Sequence, residues 1–347
     1  MSILIKRKSL LFILLISIFL VIGASSGIAQ DKIVWKSSGH GPATDPSQIY
    51  HDKLCEAITK VSGGRLEVKA FVGGSVVPAT QELNGVSEGV LDMCYTCPMY
   101  NLDKWPAAGL ISSRPGGLPG EALRTWFNYG GGAELMNKMT EGFNVLTFAG
   151  ALSPLPEEVF LHSQKEIKTA ADLKGLKMRC AGDAGEVLNR MGASVVFLPG
   201  GELYEAMQRG TIDAFEYSTL ASNWDMHFNE IAQYVILSPS RAPSDPQCFY
   251  VNQKSWEKLP DDLKRLVQDE IDKWTQAQHK FLVYQSILAL DKFKEYGCEV
   301  YKLPVEVEEA LSNTAKKYYD EKAAKEDQIY RDTLESMNAY CEAYSNK

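Results

Sequence analysis

The chain has 347 residues, with 36 Lys+Arg against 44 Asp+Glu and a formal net charge of −8. Hydrophobic residues make up 45% and charged residues 23%, values close to those of soluble globular proteins, which argues against a disordered chain, a collagen-like repeat and a polytopic membrane protein. An acidic balance without a basic block argues against nucleic acid as a partner, because phosphate binding needs clustered Lys and Arg; the length suggests about two domains.

Lys6, Arg7 and Lys8 precede an apolar run from Leu10 to Ile22 that only Ser17 interrupts, and small residues follow it. Gly27 and Ala29 suit a cleavage site before Gln30. This layout predicts a secretory signal peptide over residues 1–29 and a periplasmic location. The run is shorter than the ~20 residues that span a bilayer; a retained N-terminal anchor is the alternative. Cleavage removes three cations and no acid, so the mature chain is more acidic still.

Ile33–Lys36 reads as a first strand, Ser47 to about Val61 as a helix with apolar residues at helical spacing, and Arg65–Phe71 as an alternating strand. A second helix is expected from about Ala79 to Ser87, then a strand from Val90 to Met93. This β-α-β-α-β opening favours an α/β fold. The middle repeats the grammar. A short helix over Ala170–Leu173 is followed by a strand at Leu176–Cys180 and a helix from Gly182 to Met191. Ser194–Leu198 and Thr211–Phe215 read as strands around a helix from Glu202 to Arg209. A weak internal echo links the halves: Val86–Met93 and Met207–Ala214 share a helix end, a Gly (89 and 210), one residue, Leu or Ile, and an Asp (92 and 213). Two similar α/β lobes in an exported chain suggest a two-lobe clamshell binding protein.

Leu263, Leu266, Val267 and Ile271 mark a later helix, and from Pro304 the pattern is helical to about Tyr344. Tyr318, Tyr319, Tyr330, Tyr340 and Tyr344 interleave with charges there. Packing on a lobe by one stripe is the favoured reading; a homodimer contact through the C-terminal helices is the alternative.

The seven cysteines (55, 94, 97, 180, 248, 298 and 341) are an odd number, so at least one is unpaired. Cys94-Tyr95-Thr96-Cys97 is a C-x-x-C with no second copy and no histidine pair to complete a zinc set, and a structural role is expected for it. The five histidines form no recognisable ligand spacing.

Ligands of open α/β sheets bind beyond the carboxyl ends of the strands. Arg179 stands at one such end and Glu216-Tyr217 follow another. A guanidinium fork suits a carboxylate ligand. Glu216 would repel an acidic ligand, so it either pairs with Arg179 or holds a cation such as Ca²⁺ or Na⁺ that bridges to the ligand. Glu157-Glu158 could add a further oxygen ligand. Tyr95, Trp105, Trp126 and Trp224 are candidate pocket aromatics.

The stretches A-D-L-K-G-L-K-M-R (171–179), G-E-V-L-N-R-M-G-A (185–193) and L-P-G-G-E-L-Y-E-A-M-Q-R-G-T-I-D-A-F-E-Y (198–217) resemble solute-binding proteins of TRAP (tripartite ATP-independent periplasmic) transporters. S-G-G-R-L-E-V-K-A-F (62–71) does so too. The L-P-G-G-E and D-A-F-E-Y stretches resemble the branch that binds 2-oxo and 2-hydroxy monocarboxylates with a metal ion. The resemblance implies that Arg179 binds the substrate carboxylate, that Tyr217 and Tyr100 contact substrate, and that Glu216 and the Tyr217 carbonyl hold the cation. Where that branch usually has Gln, this chain has Glu158, a candidate for both substrate and metal. The added negative charge either favours Ca²⁺ over Na⁺ or changes the ligand class. Cys180 stands where a Pro is common.

The fold expected is α/β, a two-lobe periplasmic binding protein with long C-terminal helices. Residues 30–150 plus about 242–275 would form lobe I; residues 151–241 plus about 276–347 would form lobe II with the C-terminal helices. The function expected is binding of a small organic carboxylate and delivery to TRAP membrane subunits, without catalysis and without an obligatory cofactor. A secreted metal-assisted enzyme using Glu157, Glu158 and Glu216 is the alternative.

Overall fold

Strand and helix patterns alternate along the chain into two separate sheets in the structure, a computed structural model that describes residues 32–346. The expected signal peptide lies outside the described residues.

The first sheet begins with β1 (Ile33–Gly39), α1 (Pro46–Val61), β2 (Leu66–Phe71), α2 (Glu82–Ser87) and β3 (Met93–Thr96). Asp45 starts α1: its carboxylate accepts the Ser47 N–H at 2.7 Å, and Pro46 occupies the first turn, where a missing N–H costs little. Three helices follow, α3 (Ala108–Ile111), α4 (Gly120–Tyr129) and α5 (Gly132–Met139), then β4 (Val145–Leu146) and β5 (Leu152–Ser153).

The chain then crosses to the second sheet. There β6 (Val159–Ser163) and β7 (Lys177–Arg179) precede α6 (Gly182–Arg190), β8 (Ser194–Val196), α7 (Leu203–Gln208) and β9 (Ala214–Phe215). After α8 (Leu220–Asp225) and β10 (Tyr234–Leu237), β11 (Gln247–Asn252) returns to the first sheet. The short α9 (Gln253–Glu257) leads to α10 (Asp261–Tyr296), β12 (Glu299–Lys302), α11 (Val305–Ala323) and α12 (Gln328–Ser345). The strand orders are β2-β1-β3-β11-β4, with β5 also on β11, and β12-β10-β6-β9-β7-β8.

The internal echo has a structural cause. Gly89 and Gly210 both have positive φ (76° and 67°), the left-handed turn that ends a helix and favours glycine. The aspartate that follows each one plays the same part. The Asp92 N–H donates to the Lys36 carbonyl and the Asp92 carboxylate accepts the Lys36 N–H. The Asp213 N–H donates to the Lys177 carbonyl and its carboxylate accepts the Lys177 N–H. Each aspartate thus clamps a lysine of the neighbouring strand, Lys36 in β1 and Lys177 at the start of β7, with its own side chain. The ladders therefore begin after it: β3 at Met93 rather than Val90, and β9 at Ala214 rather than Thr211.

Two short segments, 154–158 and 238–246, carry the chain between the sheets. They run side by side, with the Glu158 N–H donating to the Ala242 carbonyl at 3.2 Å and the Ser244 hydroxyl to the Leu155 carbonyl at 2.7 Å. The 36-residue α10 packs on both α1 and α8, so one helix braces both lobes. The terminal helices divide: α11 packs on α6, while α12 packs on α4 and α5 of the first lobe, a difference from a tail that belongs to the second lobe alone. Tyr318, Tyr319 and Tyr330 are buried and only Tyr344 of the five tail tyrosines is clearly exposed, as a packing stripe requires. Among the described residues no helix is long and apolar enough to cross a membrane.

Candidate functional site

β7 and β9 are parallel neighbours with Arg179 in register with Phe215. Their carboxyl ends therefore deliver Arg179 and Glu216 to the same sheet edge. Arg179 is buried. Its Nε donates to the Leu198 carbonyl at 2.9 Å, and Nη1 donates to the Glu216 carbonyl and to Glu216 Oε1, both at 2.8 Å. These bonds leave Nη2 without a protein partner among the described residues. The guanidinium carbon also lies 5.4 Å from the centre of the Phe197 ring, a cation–π distance.

Arg179 lines a small pocket between the lobes, whose volume of about 10 Å³ is room for no more than about one water molecule. His40, Asp45, Cys97, Met99 and Tyr100 come to it from the first lobe, Tyr217 and Ser218 from the second, and Leu155, Asp245 and Gln247 from the crossovers and the start of β11. The Tyr217 hydroxyl reaches across the cleft and donates to Asp45 Oδ2 at 2.6 Å. Gly200 makes room for that ring: a Cβ there would stand 2.3 Å from a Tyr217 ring carbon. Tyr100 follows β3, edge-on to His40 with ring centres 5.7 Å apart. Arg179, Tyr217 and Tyr100 are thus brought together at one pocket.

Glu158 and Glu216 are brought together as well, but around a side chain that the sequence reading did not single out. Arg241, on the second crossover, has a side chain with 0% exposure. Its Nη1 donates to Glu158 Oε2, and its Nη2 lies 2.8 Å from Glu216 Oε2. Burial raises the Glu216 carboxyl, but the Arg241 and Arg179 guanidiniums outweigh it and hold the group below the ordinary carboxylate range. Burial pushes the Glu158 carboxyl well up despite Arg241, with Asp245 and Glu216 adding to the rise. Burial, with Glu216 adding, also pushes Asp245 up to about 6, against the 2.7 Å bond from the Ser112 hydroxyl. Two guanidiniums facing one firmly ionised carboxylate make this corner of the pocket receptive to an anion.

The residues fit a bridging cation poorly. Glu216 Oε1 already accepts from Arg179 and, at 2.5 Å, from the Ala181 N–H; Glu216 Oε2 and Glu158 Oε2 are taken by Arg241. Only Glu158 Oε1 has no hydrogen-bond partner among the described residues, whereas calcium takes about six to eight oxygens. Among the described residues there is also no group of three or more His, Cys, Asp and Glu able to hold a metal. Glu157 is exposed and does not join the cluster.

Four expected pocket aromatics lie elsewhere. Tyr95 is buried and donates to Gln278, Trp126 to Ser336, while Trp105 and Trp224 pack on Phe143 and Phe293; large rings find more apolar area in the core than in a polar cleft. Besides Arg241, the sequence reading missed Asp45, His40 and Asp245. The available signal was the segment Ser240-Arg241-Ala242-Pro243-Ser244-Asp245-Pro246, an Arg and an Asp on a proline-rich stretch at the expected crossover. Cys94 and Cys97 are buried free thiols, both pushed well up by burial, in keeping with a structural C-x-x-C.

Residues 38–326 match the family model of the bacterial extracellular solute-binding protein family 7, DctP. A monocarboxylate 2-oxoacid-binding periplasmic protein from Nostoc sp. is 28% identical over 313 residues, 89% of this chain and 84% of that protein. A TRAP periplasmic solute-binding protein from Colwellia psychrerythraea, solved with bound calcium and pyruvate, aligns with a TM-score of 0.85 at 28% identity, covering 91% of this chain and 96% of that one. Another from Pseudoalteromonas atlantica T6c, with bound sodium and pyruvate, aligns with a TM-score of 0.84 at 28% identity and the same coverage. The two-lobe α/β fold is common to this chain and both solved structures, and family members are substrate-binding receptors. The chain belongs to the DctP family of TRAP-transporter solute-binding proteins.

Proposed function

We propose that the chain is the periplasmic receptor of a TRAP transporter, that it takes a small 2-oxo or 2-hydroxy monocarboxylate between its lobes, and that it passes the acid to membrane subunits. The observation that carries this reading is the buried Arg179 guanidinium, pinned through Nε and Nη1 with Nη2 left over, at the wall of the interlobe pocket. A carboxylate is the partner that matches a guanidinium edge. Tyr217 and Tyr100 flank the same pocket and serve as substrate contacts, with Glu158 and Glu216 behind the anchor. The Nostoc relative's 2-oxoacid name and the pyruvate bound to two structural relatives support the ligand class.

The receptor works by lobe closure. A ligand that binds the closed form better shifts the population towards it, and no bond of the ligand is made or broken. The periplasmic names of the relatives support export, with residues 1–29 as the cleaved signal; N-terminal sequencing of the exported protein checks it. A homodimer through the C-terminal helices has only the half-buried Tyr340 and the exposed Tyr344 in its favour, and light scattering checks it. A metal-assisted enzyme using Glu157, Glu158 and Glu216 has the exposure of Glu157 against it.

Calorimetric titration with pyruvate, lactate and longer 2-oxo acids tests the reading. Saturable binding with a raised melting temperature and unchanged acid recovered by mass spectrometry are the expected results. Failure of every acid to bind, or turnover of a bound one, overturns it.

A further inference from the structure

Resting on the carboxylate-receptor reading, we propose that the guanidinium of Arg241 fills the place between Glu158 and Glu216 that a bridging metal ion would need, so that the acid is bound on Arg179 without calcium or sodium.

The geometry starts at the crossovers. The bond from the Glu158 N–H to the Ala242 carbonyl locks the two segments together, which sets Arg241 beside Glu158. Its fork then spans the two carboxylates that a bridging cation would need, with Nη1 on Glu158 and Nη2 on Glu216. Three of the four carboxylate oxygens are engaged by guanidinium or backbone donors.

The charge is permanent. An arginine keeps its proton inside proteins, and this one is wholly shielded from solvent. A calcium ion entering between Glu158 and Glu216 would have to displace Arg241 from both. That would leave a buried guanidinium without counter-charge beside a divalent cation, the arrangement that burial penalises most.

This placement also accounts for Glu158. A carboxylate ligates calcium at least as well as an amide carbonyl does, so Glu158 by itself would not exclude a metal ion; its pairing with Arg241 does. A carboxyl group suits a site that holds a guanidinium, because it can accept charge-assisted hydrogen bonds. Glu158 and Arg241 therefore read as a matched pair. Arg241 is absent from the pocket lining, so it is a positioning residue. It holds Glu216 from one side while Glu216 holds Arg179 from the other.

The test uses the mature protein dialysed against a chelator in sodium-free buffer. Pyruvate is titrated calorimetrically in choline chloride, in sodium chloride, and with millimolar calcium; radioactive calcium uptake is measured in parallel by equilibrium dialysis. The expected result is the same affinity in all three media and no calcium uptake. An affinity raised about tenfold or more by either ion, or stoichiometric calcium uptake, overturns the proposal.

The variant Arg241→Gln supplies a readout that a merely structural role would not move. It should lose pyruvate binding in choline chloride and regain it with calcium or sodium. A folded variant that binds like the wild type without either ion, or that neither ion rescues, overturns the proposal. If the variant does not fold, the wild-type measurements decide alone. If no acid binds in any medium, the receptor reading fails, and calcium uptake by the wild type still decides the role of Arg241: uptake overturns it and none supports it.

Discussion

Arg241 and Glu216 form a 2.8 Å ion pair in which neither side chain is more than 2% exposed. Glu216 is bound from the other side by Arg179 at 2.8 Å and by the Ala181 N–H. One carboxylate thus pairs with two buried cations, one of which, Arg241, also reaches Glu158. Such a group is costly to remove, because the guanidiniums it leaves behind have no water to turn to. Breaking a buried pair by deleting one partner costs about 3–5 kcal/mol. Glu216→Gln should lower the free energy of unfolding by an amount of that order, read as a lower urea midpoint with an unchanged slope of the transition. An unchanged midpoint would mean that the cluster is solvated and that the account of the site is wrong.

Tyr217 and Asp45 make the hydrogen bond that joins the lobes across the pocket, and Asp45 also caps α1. Tyr217→Phe keeps the ring against Phe228 and removes only the hydroxyl. A hydrogen bond to a charged group is worth about 1.5–3 kcal/mol, and here it is made only while the lobes touch. The variant should therefore bind pyruvate roughly 10- to 100-fold more weakly, mainly through faster release. Stopped-flow dissociation reads this directly; an unaltered off-rate would remove Tyr217 from the closure. Gly200→Ala should resemble it, since the added Cβ collides with the same ring.

Arg179, Glu216 and Tyr217 could be singled out in the sequence because each ends or follows a strand that turns and apolar pattern mark, whereas Tyr100 was implied only by the family resemblance. The partner of Glu158 was not legible, since Arg241 lies 83 residues further along the chain and no local pattern reports such a contact. The helix α10 was legible only to about Ile271. Beyond it Tyr284 and Ile287 are exposed, so the apolar stripe that marks a helix blurs. The strands after Gly89 and Gly210 were placed too early for a different reason. Asp92 and Asp213 satisfy the neighbouring backbone with side-chain oxygens, and hydrophobic pattern alone does not distinguish that from a ladder.

Binding should weaken as the pH rises through about 6. Asp245 lines the pocket, and burial, with Glu216 adding, pushes its carboxyl up to about 6. Below that pH the group is neutral and does not oppose an incoming carboxylate; above it the new negative charge does. A bound acid raises the group further, so binding takes up a proton over this range, and affinity falls by at most about tenfold per pH unit. Calorimetry between about pH 5 and 8 should show the fall in the wild type and a flat profile in Asp245→Asn. A variant with the same slope as the wild type would assign the titration to another group.

Acid stability should depend on His162, which lies in β6 between Phe215 and Phe293. Its Nε2 sits 2.9 Å from the Asn223 amide nitrogen, so the neutral ring accepts that bond. Burial holds its pKa down at about 3, against 6.5 for an ordinary histidine. In neutral solution both the folded and unfolded chains carry the ring uncharged, and the group has no effect on stability. As the pH falls below about 6.5 the unfolded chain takes up a proton that the folded chain refuses, and stability drops by up to about 1.4 kcal/mol per pH unit until about pH 3. His162→Gln cannot take up that proton. Urea unfolding at a series of pH values should therefore show a shallower acid decline in the variant than in the wild type, with the two curves converging in slope above pH 6.5. Parallel declines at every pH would mean that His162 is reached by water in the folded protein.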